Sequence, residues 1–322
     1  MLKINDLNYI FDLFFYIIFP LVLLGLIILI FAISVPKRKK DLKFMTFEEF
    51  FKEWLVDHGQ SHRLDEVYEK AKKDPLGKLY QPITYKLGKF FAKLGLSANM
   101  VSILNLIITL FIFYLTIIAG FGHNYEVLTL QPQYGSLILL AGFLVLFAGI
   151  MDGVDGSIAR LLRKQTKSGG WLDAVIDRIC DILLIVGMIP GGFLTLPIYG
   201  IDLRWMAWTN IFLIFLYEYM RSKYLEYNIK EIQPFIGERP ARILIQCTFY
   251  LIYGFSSFSV WITNFINPNF TNQYWSFSHP GIVYWCMIIF QINFLIIMGI
   301  SIIKSFKWTW NRLKKADNED KK

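Results

Sequence analysis

The stretch that decides the fold reads Asp152-Gly-Val-Asp155-Gly156-Ser-Ile-Ala159-Arg160, then eight residues, then Gly169-Gly-Trp-Leu-Asp173-Ala-Val-Ile-Asp177. Long hydrophobic segments adjoin both halves. An acidic side chain beside lipid costs about 2.5–3.5 kcal/mol on insertion scales. The four aspartates are therefore expected to face a cavity and to bind cations.

The composition is that of a membrane protein. Of the 322 residues, 55% are hydrophobic, and several apolar windows of about 20 residues are long enough to cross a bilayer core of about 30 Å. The net charge of +8 comes from basic residues beside these windows, which indicates cytoplasmic anchors facing anionic lipid and no nucleic-acid partner. The cysteines at 180, 247 and 286 lie in or beside apolar windows and are expected to pack there without disulfides.

The hydrophobic pattern predicts seven membrane segments, at about 10–35, 100–120, 134–153, 171–196, 205–221, 243–264 and 282–304. The first is too long for a cleavable signal peptide. Loops rich in Lys and Arg alternate with loops that nearly lack them, and the positive-inside rule places the basic loops in the cytoplasm. The N-terminus then lies outside, and the aspartates lie at the cytoplasmic ends of the third and fourth segments.

A cytoplasmic insert is predicted between the first two segments. Its stretch Phe44 to Val56 carries apolar residues at helical spacing. The stretch Leu79 to Leu96 is basic and amphipathic, which is typical either of a helix in the membrane interface or of ordinary helical packing.

Three further features lie outside the aspartate motif. The spacing of Asp57, His58 and His62 would suit a metal, but a surface helix is the better interpretation. The charged tail from Ala316 to Lys322 is expected to be disordered. Asn269 begins a glycosylation triplet on the predicted outer side, and its use would require a secretory pathway.

The spacing of the aspartates indicates a shared metal site. On helices, Asp152 and Asp155 are i,i+3 neighbours, and Asp173 and Asp177 are i,i+4 neighbours. Two antiparallel helices joined by a short loop would aim both pairs at one point. Hard oxygen ligands suit Mg²⁺ or Mn²⁺, and two such ions can bridge a pyrophosphate and stabilise the leaving phosphate.

Small and basic residues beside the aspartates suit a phosphate-containing ligand. Gly156 and Ala159 remove side-chain bulk one helical turn apart and open a slot, although such spacing also serves helix packing. Arg160 and Thr166 can donate to a phosphate or a base. Gly169 permits a turn or a close helix approach.

The complete pattern, D-x2-D-G-x2-A-R-x8-G-x3-D-x3-D, resembles the signature of the CDP-alcohol phosphotransferases, and every fixed position is present. The resemblance covers roughly Leu96 to Ile303. It implies an all-α polytopic integral membrane protein with a six-helix catalytic core at 99–305. Outside that core lie an extra N-terminal transmembrane segment (1–40), the insert (41–98) and a charged tail (306–322).

The resemblance also implies an activity and its site. The enzyme would displace CMP from a CDP-linked lipid, built on diacylglycerol or archaeol, with an acceptor hydroxyl. Asp152, Asp155, Asp173 and Asp177 resemble ligands of two Mg²⁺ or Mn²⁺ ions, and Asp177 also resembles the general base. The residues that resemble the CDP pocket are Gly156, Ala159, Arg160 and Thr166, with Asn99 and Ser102 at the entry to the first core helix. Family members form homodimers, so one is expected here.

A second basic cluster bears on the acceptor. The sequence continues with Tyr217-Glu-Tyr219-Met-Arg221-Ser-Lys223 and Gly237-Glu238-Arg239-Pro-Ala-Arg242. An arginine guanidinium can donate two parallel hydrogen bonds to a phosphate. Positive-inside anchoring would also place arginines here. The stretch resembles, in part, the branch that uses inositol phosphate, which implies a phosphatidylinositol-phosphate or archaetidylinositol-phosphate synthase with Arg221, Arg239 and Arg242 on the acceptor phosphate.

Two alternatives stay open at this point. A glycerol-phosphate acceptor would give phosphatidylglycerol phosphate. A divalent-cation channel or transporter could also use the aspartates, but it needs a polar path through the outer half of the membrane. The stretches Ile138 to Phe147 and Ile182 to Val186 are wholly apolar apart from one glycine, which disfavours such a path.

Overall fold

The computed structural model describes residues 13–38, 42–57, 64–74, 76–123, 133–227, 233–267 and 273–319. These ranges are almost entirely helical. The α-helices, in chain order, are α1 (Phe19–Ser34), α2 (Phe47–Asp57), α3 (Leu64–Ala71), α4 (Gln81–Lys93), α5 (Ala98–Phe121), α6 (Gln133–Leu161), α7 (Lys167–Val186), α8 (Arg204–Glu226), α9 (Arg239–Ile266) and α10 (Gln273–Glu319).

Short elements connect these helices. Turns of π-helix at Phe14–Ile18 and Leu76–Tyr80 lead into α1 and α4, and a 3-10 turn at Val35–Lys37 follows α1. The strands β1 (Thr195–Leu196) and β2 (Ile201–Asp202) pair antiparallel, with Thr195 opposite Asp202. A 3-10 turn at Pro197–Tyr199 joins them.

Within the described ranges, five helical stretches are long and apolar enough to cross a membrane. They are Phe14–Lys37, Ala98–Phe121, Gln133–Leu161, Arg239–Ile266 and Gly281–Asn318. These correspond to the first, second, third, sixth and seventh predicted segments. The fourth and fifth form α7 and α8, of 20 and 23 residues, whose polar and charged side chains make them less apolar; their passage across the bilayer stays a prediction. The chain is an all-α polytopic membrane protein, and its described residues include six long helices after the insert and one before it.

The prediction of a disordered tail was wrong as far as residue 319. Helix α10 continues through the charged end of the chain to Glu319. Lys and Arg have good helix propensity, so the basic stretch extends a helix that is already nucleated in the apolar segment.

The chain divides into two compact units. The first consists of Met1–Tyr114 and Phe147–Cys180, and the second of Leu115–Leu146 and Asp181–Lys322. The first unit contains the insert and the aspartate motif, and the second contains the basic cluster at Arg221, Arg239 and Arg242.

Helix α2 of the insert is fixed at its N-terminus and along its apolar face. The backbone N–H of Thr46 donates to Glu49 Oε2 at 2.8 Å, and the Glu49 N–H donates to Thr46 Oγ1 at 3.3 Å, which is a capping box. Phe50 is fully buried in a cluster with Met45 and Leu161. The insert therefore docks on the C-terminal end of α6.

Aromatic contacts hold the rest of the insert together. The rings of Phe47 and Tyr85 meet edge to face with centroids 5.4 Å apart, and the Tyr85 hydroxyl donates to the carbonyl of Met45 at 2.8 Å. Phe51 packs edge to face on Tyr68 of α3, also at 5.4 Å. Such pairs contribute about 0.5–1.5 kcal/mol beyond their buried area. The predicted helix at Phe44 to Val56 is thus confirmed, with α2 beginning at Phe47.

Helix α4 packs closely on its neighbours through two glycines. A β-carbon at Gly88 would lie 3.1 Å from Ser157 Cβ and from Leu161 Cδ1, both on α6. Gly95 has φ +88° just past the end of α4 and lies against the carbonyl of Ser34, which a β-carbon would strike. Glycine is therefore required at position 95, beside the end of α1, and Gly88 lets α4 lie close to α6.

In the second unit, buried polar contacts join the helices. The side-chain amide of Asn210 on α8 donates to Oε1 of Gln291 on α10 at 2.6 Å, and both residues are fully buried. Nδ1 of His123 lies 2.8 Å from the hydroxyl of Tyr253 on α9. Burial lowers the pKa of His123 to about 4, so this histidine is neutral at pH 7.

Candidate active site and metal centre

Three of the predicted ligands converge in the first unit. One carboxylate oxygen each from Asp152, Asp173 and Asp177 lie within 4.8 Å of one another, and all three residues are partly buried. Helix α6 supplies Asp152, and α7 supplies Asp173 and Asp177, the pair expected from its i,i+4 spacing; Asp155, the i,i+3 partner of Asp152, is not part of this group. Three anionic oxygens this close repel one another unless a cation neutralises them, and an all-oxygen set is what Mg²⁺ or Mn²⁺ prefers. The residues present therefore fit a hard divalent ion.

Asp155 is placed differently. It is buried and accepts a 2.6 Å hydrogen bond from Oγ of Ser102 on α5, and the charges of Asp173 and Asp152 act on it. Ser102, which the resemblance placed at the entry to the first core helix, thus contacts one of the predicted metal ligands through its hydroxyl. The role of Asp155 as a metal ligand stays a prediction.

The loop between α6 and α7 is a tight, capped turn. The N–H of Lys164 donates to the carbonyl of Ala159 at 2.8 Å, and Arg163 adopts φ 50°, which is the C-terminal arrangement that normally carries glycine. The hydroxyl of Thr166 accepts from the N–H of Gly169 at 3.0 Å and so caps the start of α7. These two caps end one helix and begin the next within five residues.

A cavity of about 450 Å³ lies beside the carboxylates, within the first unit. Every residue that the motif resemblance assigned to the CDP pocket lines it, together with two of the aspartates: Asn99, Ser102, Asp155, Gly156, Ala159, Arg160, Thr166 and Asp173. The structure thus brings the predicted nucleotide and metal residues together, and their binding roles stay predictions.

Two glycines of the motif lie in close contact with cavity residues. A β-carbon at Gly156 would lie 3.1 Å from Nη1 of Arg160, so the guanidinium rests against the bare helix backbone. A β-carbon at Gly169 would lie 2.9 Å from Oγ1 of Thr166 and 3.3 Å from Oδ1 of Asn99. Both glycines therefore make space for cavity residues.

Sequence reasoning missed the position of Asp57 in this cavity. This last residue of α2 accepts hydrogen bonds at its Oδ2 from Nε of Arg160 at 2.7 Å and from Nε2 of Gln165 at 3.2 Å. Of the stretch expected to form a surface helix, the described part ends at Asp57, whose side-chain carboxylate contacts Arg160. His58 and His62, which were considered with it, and Asn269 lie outside the described residues.

In the second unit, the basic cluster forms a buried ion network. Asp181 is buried between Nε of Arg239 at 3.2 Å and Nη2 of Arg242 at 2.7 Å. Sequence reasoning did not single out Asp181, although an aspartate followed at once by an apolar run was a usable signal. A buried carboxylate needs such partners, because an unpaired buried charge is costly.

Two glutamates complete the network. Glu218 accepts from Nη2 of Arg242 at 3.2 Å, and Glu238 accepts from Nη1 of Arg221 at 2.8 Å and from the hydroxyl of Tyr217 at 3.0 Å. Each of the three predicted acceptor arginines is thus paired with a carboxylate. Arg221 is the most open of them, with 35% of its side chain exposed.

Comparison with known proteins defines the class. The chain belongs to the CDP-alcohol phosphatidyltransferase family, whose model matches residues 96–268, more than half of the chain. That match begins just before α5 and includes the whole aspartate motif.

Among curated proteins, the chain resembles the archaetidylinositol phosphate synthases of two archaea. It is 34% identical to that of Pyrococcus horikoshii over 115 residues, which are 36% of this chain and 52% of the relative. It is 41% identical to that of Methanothermobacter thermautotrophicus over 61 residues, which are 19% of this chain and 31% of the relative. The chain therefore spans about half, or less, of the length of these relatives.

Among solved structures, the chain resembles the phosphatidylinositol phosphate synthase of Mycobacterium tuberculosis with CDP-DAG bound. The identity is 19% and the TM-score 0.47, with 71% of this chain and 94% of the other covered. This likeness is too distant to define the site.

Proposed function

We propose that this protein transfers the phosphatidyl-type group of a CDP-linked lipid to a hydroxyl of a phosphorylated polyol, with release of CMP. The observation that carries the proposal is the convergence of three carboxylates within 4.8 Å in the unit whose cavity is lined by the CDP-pocket residues of the family motif. Membership of the CDP-alcohol phosphatidyltransferase family supports it. The lipid is built on diacylglycerol or archaeol.

The chemistry needs charge neutralisation at a diphosphate. Two Mg²⁺ or Mn²⁺ ions, held by Asp152, Asp155, Asp173 and Asp177, would offset the negative charge that collects on CMP as it leaves. One oxygen from each of Asp152, Asp173 and Asp177 lies within 4.8 Å of the others. Ser102 orients the fourth carboxylate, that of Asp155, through its hydrogen bond.

The chain's own residues bind the nucleotide and move a proton. Arg160 and Thr166 donate hydrogen bonds to the CDP group, and Asn99 borders the same cavity. Asp177 takes the proton of the acceptor hydroxyl as the new oxygen–phosphorus bond forms, because an alcohol has a pKa far above 7. The bond from the lipid-side phosphorus to CMP breaks in the same displacement.

Inositol phosphate is the proposed acceptor. The names of the archaeal relatives support it, as does the cluster of Arg221, Arg239 and Arg242, whose guanidinium groups can bind a phosphate in a fork. All three are balanced by carboxylates, so the acceptor phosphate must compete with them. Arg221, the most exposed, is where it would enter.

The proposal includes a location. The site faces the cytoplasm at the inner leaflet of the cell membrane, because the loops next to the aspartate motif carry the basic residues that stay inside. The lipid tails remain in the bilayer during the reaction. A homodimer is proposed by resemblance to the family.

CMP release from purified protein tests the activity. CDP-archaeol and CDP-diacylglycerol are each supplied with inositol phosphate, glycerol phosphate or unphosphorylated inositol, with and without Mg²⁺. The expected result is Mg²⁺-dependent CMP release with inositol phosphate. Preference for glycerol phosphate would make the protein a phosphatidylglycerol-phosphate synthase, and absence of turnover together with cation flux in liposomes would make it a channel.

A matched pair of variants tests the acceptor site. Arg221→Ala is expected to raise the KM of the acceptor while leaving that of the CDP-lipid within about twofold, since only one substrate loses a contact. Arg204→Ala removes an arginine that pairs with Asp202 at the surface and serves as the control. A raised KM for the CDP-lipid alone would refute the acceptor assignment.

A further inference from the structure

We propose that Asp57, in the insert, is a positioning residue for the nucleotide site: it holds Arg160 and Gln165 in the orientation that binds the CDP group. The inference rests on the proposed function, because it assigns the cavity to a CDP-linked substrate. Asp57 lies outside residues 96–268, the part of the chain that matches the family.

The contacts of Asp57 are made to two different parts of the cavity wall. Its Oδ2 accepts from Nε of Arg160, on the last turn of α6, at 2.7 Å and from Nε2 of Gln165, in the following loop, at 3.2 Å. All three residues line the same cavity. One carboxylate oxygen therefore fixes a helix side chain and a loop side chain relative to each other.

Several contacts hold the start of α2, the helix that carries Asp57, in place. Helix α2 begins at the capping box of Thr46 and Glu49, and fully buried Phe50 anchors it against Leu161, one residue after Arg160. The helix is 11 residues long. Packing holds its first turns, and the ion pair with Arg160 holds its last residue.

The terminal nitrogens of Arg160, Nη1 and Nη2, are the part of its guanidinium that can contact a ligand. Asp57 contacts Nε, the nitrogen nearest the aliphatic chain, while Nη1 lies over Gly156. The Arg160 side chain is only 12% exposed and that of Asp57 is 40% exposed. A nearly buried guanidinium that is held at Nε has less rotational freedom, so its terminal nitrogens can bind an anionic group at a smaller entropic cost.

This arrangement predicts a specific kinetic signature. Asp57→Asn keeps the shape of the side chain but removes its charge, so Arg160 is held less firmly. We expect the dissociation constant for CDP and the KM of the CDP-lipid to rise by about fivefold, the range of one partly exposed ion pair. The kcat and the KM of the acceptor should change little. Loss of structure would instead lower the apparent kcat and leave both KM values unchanged.

The test measures CDP binding to the full-length protein in detergent with Mg²⁺, by calorimetry, and CMP release in parallel. Asp65→Asn is the matched control, because Asp65 is an acid of the same insert whose side chain is 94% exposed. A double-mutant cycle with Arg160→Ala, which removes the guanidinium, should show that Asp57→Asn loses most of its effect in that background, leaving only the part that acts through Gln165.

The outcomes separate this inference from the proposed function. Wild-type protein that binds no CDP overturns both. Wild-type protein that binds CDP, with Asp57→Asn equal to Asp65→Asn or tighter than wild type, overturns the inference alone; the tighter result would mean that Asp57 blocks the site. If Asp57→Asn does not fold, Asp57→Glu keeps the charge but shifts the carboxylate by one methylene, and unchanged CDP affinity there overturns the inference.

Discussion

Oγ of Ser102 donates a 2.6 Å hydrogen bond to Oδ2 of Asp155, and both residues are buried. This contact ties the start of α5 to the helix that carries the first half of the aspartate motif. Ser102 also lines the cavity beside the carboxylates. One hydroxyl therefore links the entry to the core with the proposed metal centre.

The first prediction concerns that hydroxyl. Ser102→Ala removes the donor from a buried carboxylate, and a hydrogen bond to a charged group is worth about 1.5–3 kcal/mol. We expect kcat/KM for CMP release to fall by roughly tenfold or more. Ser102→Thr keeps the hydroxyl and should stay close to wild type. Equal activity of the two variants would show that the hydroxyl plays no part.

The second prediction uses two adjacent glycines at the start of α7. A β-carbon at Gly169 would press on Oγ1 of Thr166 at 2.9 Å and on Oδ1 of Asn99 at 3.3 Å, whereas one at Gly170 would meet nothing within 4 Å. Gly169→Ala should therefore weaken CDP binding severalfold, and Gly170→Ala should be tolerated. Calorimetric titration with CDP measures the difference, and two equal affinities would contradict the close approach.

The third prediction concerns the buried ion network of the second unit. Asp181→Asn leaves the guanidinium groups of Arg239 and Arg242 without their shared buried carboxylate. Breaking a buried pair costs about 3–5 kcal/mol, so the thermal unfolding midpoint in detergent should drop clearly. Asp202→Asn removes the exposed partner of Arg204 and should shift the midpoint far less. Similar shifts for the two variants would mean that burial does not govern the network.

The fourth prediction concerns Arg163, which adopts φ 50° at the end of α6. Left-handed backbone costs an L-residue about 1–2 kcal/mol, and glycine avoids that cost. Arg163→Gly should therefore unfold at a higher temperature than Arg163→Ala, which loses the same charge but keeps the unfavourable backbone. A higher midpoint for the alanine variant would argue against this turn.

Sequence alone was enough for the core of the site. The i,i+4 spacing placed Asp173 and Asp177 on one face of α7, and the expected meeting of two helices across a short loop brought Asp152 to them. The residues that line the neighbouring cavity were assigned by resemblance to the family motif, not by spacing. The amphipathic pattern also predicted the insert helix that begins at Phe47.

Other features depended on tertiary contacts that no local pattern contains. The pairing of Asp57 with Arg160 joins positions 103 residues apart, and that of Asp181 with Arg242 joins positions 61 apart. The continuation of α10 to Glu319 contradicted an expectation based on charge alone. Helices α7 and α8 are not among the five long apolar helices. They are more polar because they carry residues of the candidate site and of the ion network.

The most direct test of the central claim measures divalent-ion binding and CMP release together. Mn²⁺ binding is titrated on wild-type protein and on Asp152→Asn, and initial rates of CMP release from CDP-lipid are followed as Mg²⁺ is varied. We predict that wild type binds Mn²⁺ and needs a divalent ion for turnover, and that Asp152→Asn loses affinity for the ion together with activity. Full CMP release in the presence of a chelator, or unchanged ion binding by Asp152→Asn, would contradict the account.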